Sequence, residues 1–253
     1  MRVIYALPWM VMALFAAPAQ NSALADSLDV DLAKPDVRLD VSFKGSEVLL
    51  FGAKDIAGDV IVVVRGPRKD TSVRFKERIM GVWVATDEVI FAKAPAFYAL
   101  ASSRPIADLL PLNILKKEKI GAEHLDLDIA DKPGNINTTR VKEFFAGLIR
   151  NMARKSLYTI EPGQISLVGK QLFRTDLWFP ANVTVGDYAI DTYMIVDGGI
   201  KTKKTTHMRV HKVGLEAQIY NFAHEQALLY GLLAIVIAVM SGWTANAVFK
   251  KRG

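Results

Sequence analysis

QALLYGLLAIVIAVMSGWTANAVF, residues Gln226–Phe249, is an uncharged run closed by Lys250, Lys251 and Arg252. At about 1.5 Å of rise per residue, twenty-odd mostly apolar residues match the roughly 30 Å hydrocarbon core of a bilayer, so the run is predicted to span a membrane as a helix. The remainder of the chain is then read as what this helix anchors.

The two ends set the orientation. Met1–Ala25 has the form of a secretory leader: Arg2 is its charged start, Val3–Ala17 is short for a spanning helix, and Ala23-Leu24-Ala25 is a small-residue cleavage site. Ala17-Pro18-Ala19 is a second such site, and retention of the segment as an anchor is the alternative. With the leader removed, the mature chain starts at Asp26 and the basic tail, residues 250–253, is expected on the cytoplasmic side. Residues 26–214 are then a periplasmic domain on a bacterial inner membrane, and residues 215–225 a juxtamembrane stalk.

The net charge of +6 is mostly a topology signal, since Arg2 and the three tail residues account for much of it. Residues 26–249 keep 28 basic against 26 acidic residues, or +2, which leaves no broad cationic surface for nucleic acid. The chain has no cysteine, so disulfides, thiolate metal sites and a thiol nucleophile are excluded together. A domain of this size can rely on its apolar core instead.

From Leu28 to Ser102, short alternating runs (LDVDLA, VRLDVSF, EVLLFGA, DVIVVVRGP, VRFKE, GVWVAT, FYALAS) are broken by turn residues about every ten positions. That pattern predicts an antiparallel β-sandwich, with Asp59–Arg65 as the central strand because Val60 to Val64 is unbroken β-branched. The pattern changes at Arg104-Pro105, and a helical insertion is expected over about 104–158. Its best helix carries Val141, Phe144, Phe145, Leu148, Ile149 and Met152 on one face, with Thr138 or Thr139 as the cap. Strands resume with QISLVGK, LFRTDLWFP, GDYAIDTYMIV and a last strand through Met208 and Val210. Phe179-Pro180-Ala181-Asn182 before Gly186-Asp187-Tyr188 looks like the entry into a late strand of an immunoglobulin-like sandwich. The expected fold is therefore mainly β with a helical insertion, an immunoglobulin-like ectodomain plus one C-terminal transmembrane helix; two separate small β domains are the rival arrangement. Leu215, Ile219, Phe222 and Gln226 allow a helix running straight from Leu215 into the membrane.

Leu172-Phe173-Arg174, Pro180-Ala181-Asn182, Gly186-x-Tyr188, Lys212-Val213-Gly214, Phe222-Ala223, Tyr230-Gly231 and Gly242-Trp243 together resemble the alphaproteobacterial putative transmembrane protein family. The resemblance covers the whole mature chain and its motifs are structural. It implies this topology and an association with membrane transporters of the sulfite-exporter type, and it implies no chemistry.

Several polar groups are candidates for a site. If Glu123–Ile129 is a strand, His124, Asp126 and Asp128 share one face, where one imidazole and two carboxylates could approach a metal. Same-face neighbours on a strand lie roughly 6 to 7 Å apart, which permits shared coordination without favouring it, and a solvated amphipathic strand is the plainer reading. His207 and His211 are about 13 Å apart on a strand, too far for one ion. His224-Glu225 opens like a zincin helix, but Leu228 stands where the second histidine is needed. No nucleophile elbow, Walker loop or dinucleotide fingerprint is present, so no enzyme or cofactor is expected.

Two basic clusters remain. Arg65, Arg68, Lys69, Arg74, Lys76 and Arg78 are diluted by Asp70 and Glu77, whereas Lys201, Lys203, Lys204, Arg209 and Lys212 have no acid among them. The second precedes the stalk, so contact with anionic headgroups or an anionic substrate is weighed against an edge strand protected by lysines. In the membrane run, Ala234, Ala238 and Gly242 repeat at four-residue spacing before Asn246, a small-residue groove that another helix could approach closely. An ordinary lipid-facing stripe is the other reading. The expected function is a non-enzymatic accessory or interaction module for another membrane protein, such as a multispanning transporter, or self-association through the helix. The alternative is a periplasmic metal- or anion-binding protein.

Overall fold

Five consecutive β-branched side chains, Val60 to Val64, are completely buried in strand β4 (Asp59–Arg65). A strand can bury both faces only if it is flanked on both edges and covered above and below. The computed structural model, which describes residues 28–132, 134 and 137–250, shows how this is done. The expected leader, residues 1–25, and the tail residues Lys251 and Arg252 lie outside the described residues.

In chain order the strands are β1 (Leu28–Leu32), β2 (Asp36–Leu39), β3 (Gly45–Lys54), β4, β5 (Arg68–Ile79), β6 (Val82–Pro95) and β7 (Tyr98–Ser102). Helices α1 (Ile106–Leu109) and α2 (Leu112–Glu118), a 3-10 turn at Ala122–His124, strand β8 (Ile129–Asp131) and helix α3 (Thr138–Arg154) follow. Then come β9 (Gly163–Gln164), β10 (Ser166–Val168), β11 (Leu172–Pro180), β12 (Gly186–Val196) and β13 (Gly199–Lys212), and the helices α4 (Leu215–Glu225) and α5 (Ala227–Lys250).

The larger sheet has the order β2-β13-β12-β4-β7-β9, and the second β1-β3-β11-β10. Their inner faces share one apolar core. Phe179 of β11 stacks on Phe97 at 5.0 Å between ring centres and meets Tyr188 of β12 edge-on at 5.8 Å. Both sheets pair an early strand with a late one, β4 with β12 and β3 with β11, so the two-domain arrangement is not what forms. The protein is mostly β, in several sheets with a few helices. The larger sheet carries parallel pairs at both edges, β2 with β13 and β7 with β9.

The third sheet, β5-β6-β8, is a long hairpin with one short added strand. It continues the β4–β7 pairing without a break: after Arg65 opposite Tyr98, the Gly66 amide donates to Phe97 O (2.8 Å) and the Ala96 amide to Pro67 O (2.8 Å) before Arg68 faces Pro95. Only VRFKE and GVWVAT of this ribbon were legible as strands, because Asp87–Lys93 mixes charges among the apolar residues. Helix α3 lies along it. Phe144 meets Phe75 edge-on at 5.2 Å, Phe145 meets Phe91 at 6.2 Å, and Phe144, Leu148 and Met152 are buried as the periodicity required. The cap is Asn137, whose Oδ1 accepts from the Arg140 amide at 2.9 Å, rather than either threonine.

Candidate functional site

Helix α5 has no charged residue before Lys250, and Leu228, Leu229, Leu232, Leu233, Ile235 and Ile237 are all exposed along it. Its segment Ala227–Ala245 has mean hydropathy 2.0 and is not covered by any other described residue. A helix apolar on every side has to be covered by lipid or by another protein. Ala234, Ala238 and Gly242 fall along one flank, and a Cβ added at Gly242 would meet nothing within 4 Å. Thr244 satisfies its hydroxyl within the helix by donating to Ser241 O at 3.0 Å. The Asn246 side chain lies outside the described residues.

The rod expected from Leu215 into the membrane is interrupted. Gln226 has φ −131° and ψ 51°, outside helical values, so α4 ends and α5 begins anew. Across the break Phe222 and Tyr230 meet edge-on at 6.1 Å. In α4, Tyr220 and His224 stack at 4.0 Å between ring centres, which occupies the histidine that opened like a zincin motif.

A polar cleft of about 680 Å³ lies where the larger sheet faces α2 and the loop after it. Among its lining residues is Asp191 on β12, a carboxylate with only 9 % of its side chain exposed. Arg65 on β4 donates to it, Lys203 on β13 reaches it at 3.2 Å, and Thr205 donates to its other oxygen at 2.6 Å. Arg65 also donates to the carbonyls of Glu118 (2.9 Å) and Lys119 (3.2 Å), tying the sheet to the end of α2. Burial alone would lower the Lys203 pKa, but Tyr193 and Asp191 beside it outweigh that and raise it. Next to the cleft, Tyr98 accepts from the Gly121 amide (2.8 Å) and donates to Lys119 O (3.0 Å); burial pushes its phenol up to about 12. This network was not legible in the sequence. Its one signal was Asp191, a lone carboxylate in the otherwise apolar Ile190–Val196.

The five basic residues Lys201, Lys203, Lys204, Arg209 and Lys212 do not make one face. Lys203 turns into the cleft and Arg209 pairs with Asp187 at 2.9 Å, both acids being supplied by the neighbouring strand β12. Lys204 lies on the same side of β13 as the buried Met208 and Val210, by the two-residue alternation, and Lys212 shares that side. The cluster is also not all close to the stalk: at about 3.4 Å per residue, Lys203 lies about 30 Å along β13 from Lys212.

His124, Asp126 and Asp128 do not lie on a strand either. His124 ends the 3-10 turn, Leu125–Asp128 has no regular structure, and β8 begins only at Ile129. The alternation that would align them is therefore lost. Asp126, 86 % exposed, faces Lys119 at 3.9 Å, and His124 Nε2 is 3.6 Å from Glu123. Among the described residues no group of three or more His, Cys, Asp or Glu is placed to hold a metal ion.

A β domain followed by one uncovered apolar helix defines a class, the β-rich proteins with a single C-terminal candidate membrane span. The chain belongs to the family described as "Putative transmembrane protein (Alph_Pro_TM)", which matches residues 27–251. A comparison with curated proteins returns no match.

Proposed function

We propose that this is a single-pass inner-membrane protein whose β domain faces the periplasm and serves as a non-enzymatic accessory module for another membrane protein, a multispanning transporter being the partner the family resemblance favours. The observation that carries the reading is α5 itself: a helix apolar on every side, left uncovered by the other described residues, with one small-residue flank at Ala234, Ala238 and Gly242. Small side chains let a second helix approach closely where larger ones would hold it off. Removal of the leader after Ala25 and a cytoplasmic basic tail set the orientation. The immunoglobulin-like character of the sandwich belongs to the same proposal, and the Tyr188 hydroxyl supports it by donating to Thr184 O, four residues upstream, at 2.6 Å, as in a tyrosine corner.

The test is purification of the tagged full-length protein from its own membranes in mild detergent. Beside it are run Ala238→Leu with Gly242→Leu, and Val236→Leu with Met240→Leu on the opposite flank. The proposal expects a multispanning protein to accompany the wild type and the second variant and to be lost from the first. Equal recovery with all three, or recovery of the chain alone throughout, overturns it.

A further inference from the structure

The β5–β6 ribbon ends in an apolar tip that no described residue covers. Ile79, Val82, Trp83 and Val84 are between 41 % and 67 % exposed and Met80 is fully exposed. Helix α3 braces the ribbon below this point, with Arg140 stacked on Phe75 at 4.0 Å and bonded to Glu77 at 3.2 Å. Beyond Glu77 the two strands continue alone. The turn joining them is Met80-Gly81, with φ of +49° and +86°, the two-residue turn that matches the twist of a hairpin. Asparagine or glycine adopts that conformation readily at the first position, whereas a methionine there is strained. The strain is accepted and places a long, fully exposed apolar side chain at the end of the ribbon.

The neck below the tip is basic. Glu77 and Asp87 face Arg140, Glu88 is held by Ser72 and Arg74, and Asp70 caps the Lys93 amide, so the carboxylates of the ribbon are engaged. Lys76 and Arg78 make no ion pair with any described residue. An apolar cap carrying a tryptophan above a cationic neck is complementary to the layered chemistry of a membrane surface, with hydrocarbon beneath the interface and anionic headgroups above it.

Topology brings the tip to the right end of the molecule. Strands β4 and β13 both run antiparallel to β12 and so point the same way. Strand β13 ends at Lys212 and leads to α4 and α5, while β4 passes through Gly66-Pro67 into β5 at that same end, where a Cβ on Gly186 would touch Pro67 at 3.0 Å. The twelve residues of β5 extend about 40 Å when straight, against about 16 Å for the eleven residues of α4, so the ribbon has length to spare even after the bending its two bulges impose.

We propose that the Ile79–Val84 tip inserts into the interface of the same bilayer that α5 crosses, making a second contact that fixes the β domain against the membrane. This rests on α5 being the anchor, and the test separates the two. The cysteine-free chain allows single nitroxide labels at Met80→Cys, Trp83→Cys and, as a control at the far end of the fold, the exposed Lys170→Cys beside Lys54. Each full-length variant is reconstituted into vesicles of phosphatidylethanolamine and phosphatidylglycerol. Flotation with the vesicles reports the anchor, and circular dichroism confirms the fold. The expected result is a ratio of oxygen to aqueous nickel-chelate accessibility several-fold higher at positions 80 and 83 than at 170. Floated, folded protein with both tip labels as open to the aqueous reagent as position 170 overturns the proposal while leaving the anchor intact. Failure to float overturns the anchor and the tip proposal together.

Discussion

Asp59 shows how one carboxylate holds the edge of the helical region to the sheet. It lies at the start of β4, accepts two bonds from Arg104 Nε at 3.1 Å and one from Ser103 at 2.8 Å, and so ties the chain where it leaves β7 for α1. The Arg104 hydrogen bond lowers its pKa; burial opposes this, and Ser103 and Lys54 add to the lowering. Because the folded pKa lies below the ordinary value of 3.8, the folded state binds fewer protons than the unfolded chain in that range. The stabilisation is fully present above about pH 4 and is lost as pH falls through the folded pKa. Asp59→Asn is therefore expected to lower the urea midpoint at neutral pH and to flatten its decline at acid pH, read from urea titrations at several pH values. Such partners were not legible beforehand, since Arg104 read only as the boundary of a helical insertion. Asp191 was hidden for the same reason: its partners Arg65 and Lys203 come from two other strands, and alternation along one strand says nothing of what lies across it.

At the scale of elements, the ribbon depends on α3. Phe144 is fully buried between the ribbon and the core and meets Phe75, so Phe144→Ala is expected to cost about 3–5 kcal/mol. The amides of β5 and β6 should lose more hydrogen-exchange protection than those of β4 and β12, because α3 packs on the ribbon along that stretch. Equal loss everywhere would show that the ribbon does not depend on this contact. This helix was readable because its apolar residues recur at the helical period, and β4 was readable because only a strand covered on both faces tolerates Val60–Val64. Pairing was not readable: β3 with β11 and β4 with β12 join segments more than a hundred residues apart. Glu123–Ile129 failed through period as well, since a run short enough to alternate by chance became a 3-10 turn and a loop. The break at Gln226 carries no proline or glycine to announce it.

For the whole molecule, a β domain, a short helix and an apolar helix follow one another, and the apolar helix is the candidate membrane span. The candidate membrane helix was legible because hydrophobic length is a local signal. Where the domain meets the membrane was not local. Lysines next to the stalk in sequence run up β13 away from it, while Lys76 and Arg78, far from the stalk in sequence, lie on a ribbon that leaves the sheet at the end where β13 leads into α4. The central claim is that one span separates an exterior β domain from a cytoplasmic tail. It is tested most directly by labelling Lys170→Cys and Gly253→Cys in intact cells whose outer membrane has been made permeable, using a thiol reagent that cannot cross the inner membrane. The account predicts that Lys170→Cys is labelled at once and Gly253→Cys only after the inner membrane is opened. Labelling of Gly253→Cys first, or of both positions together in intact cells, would contradict it.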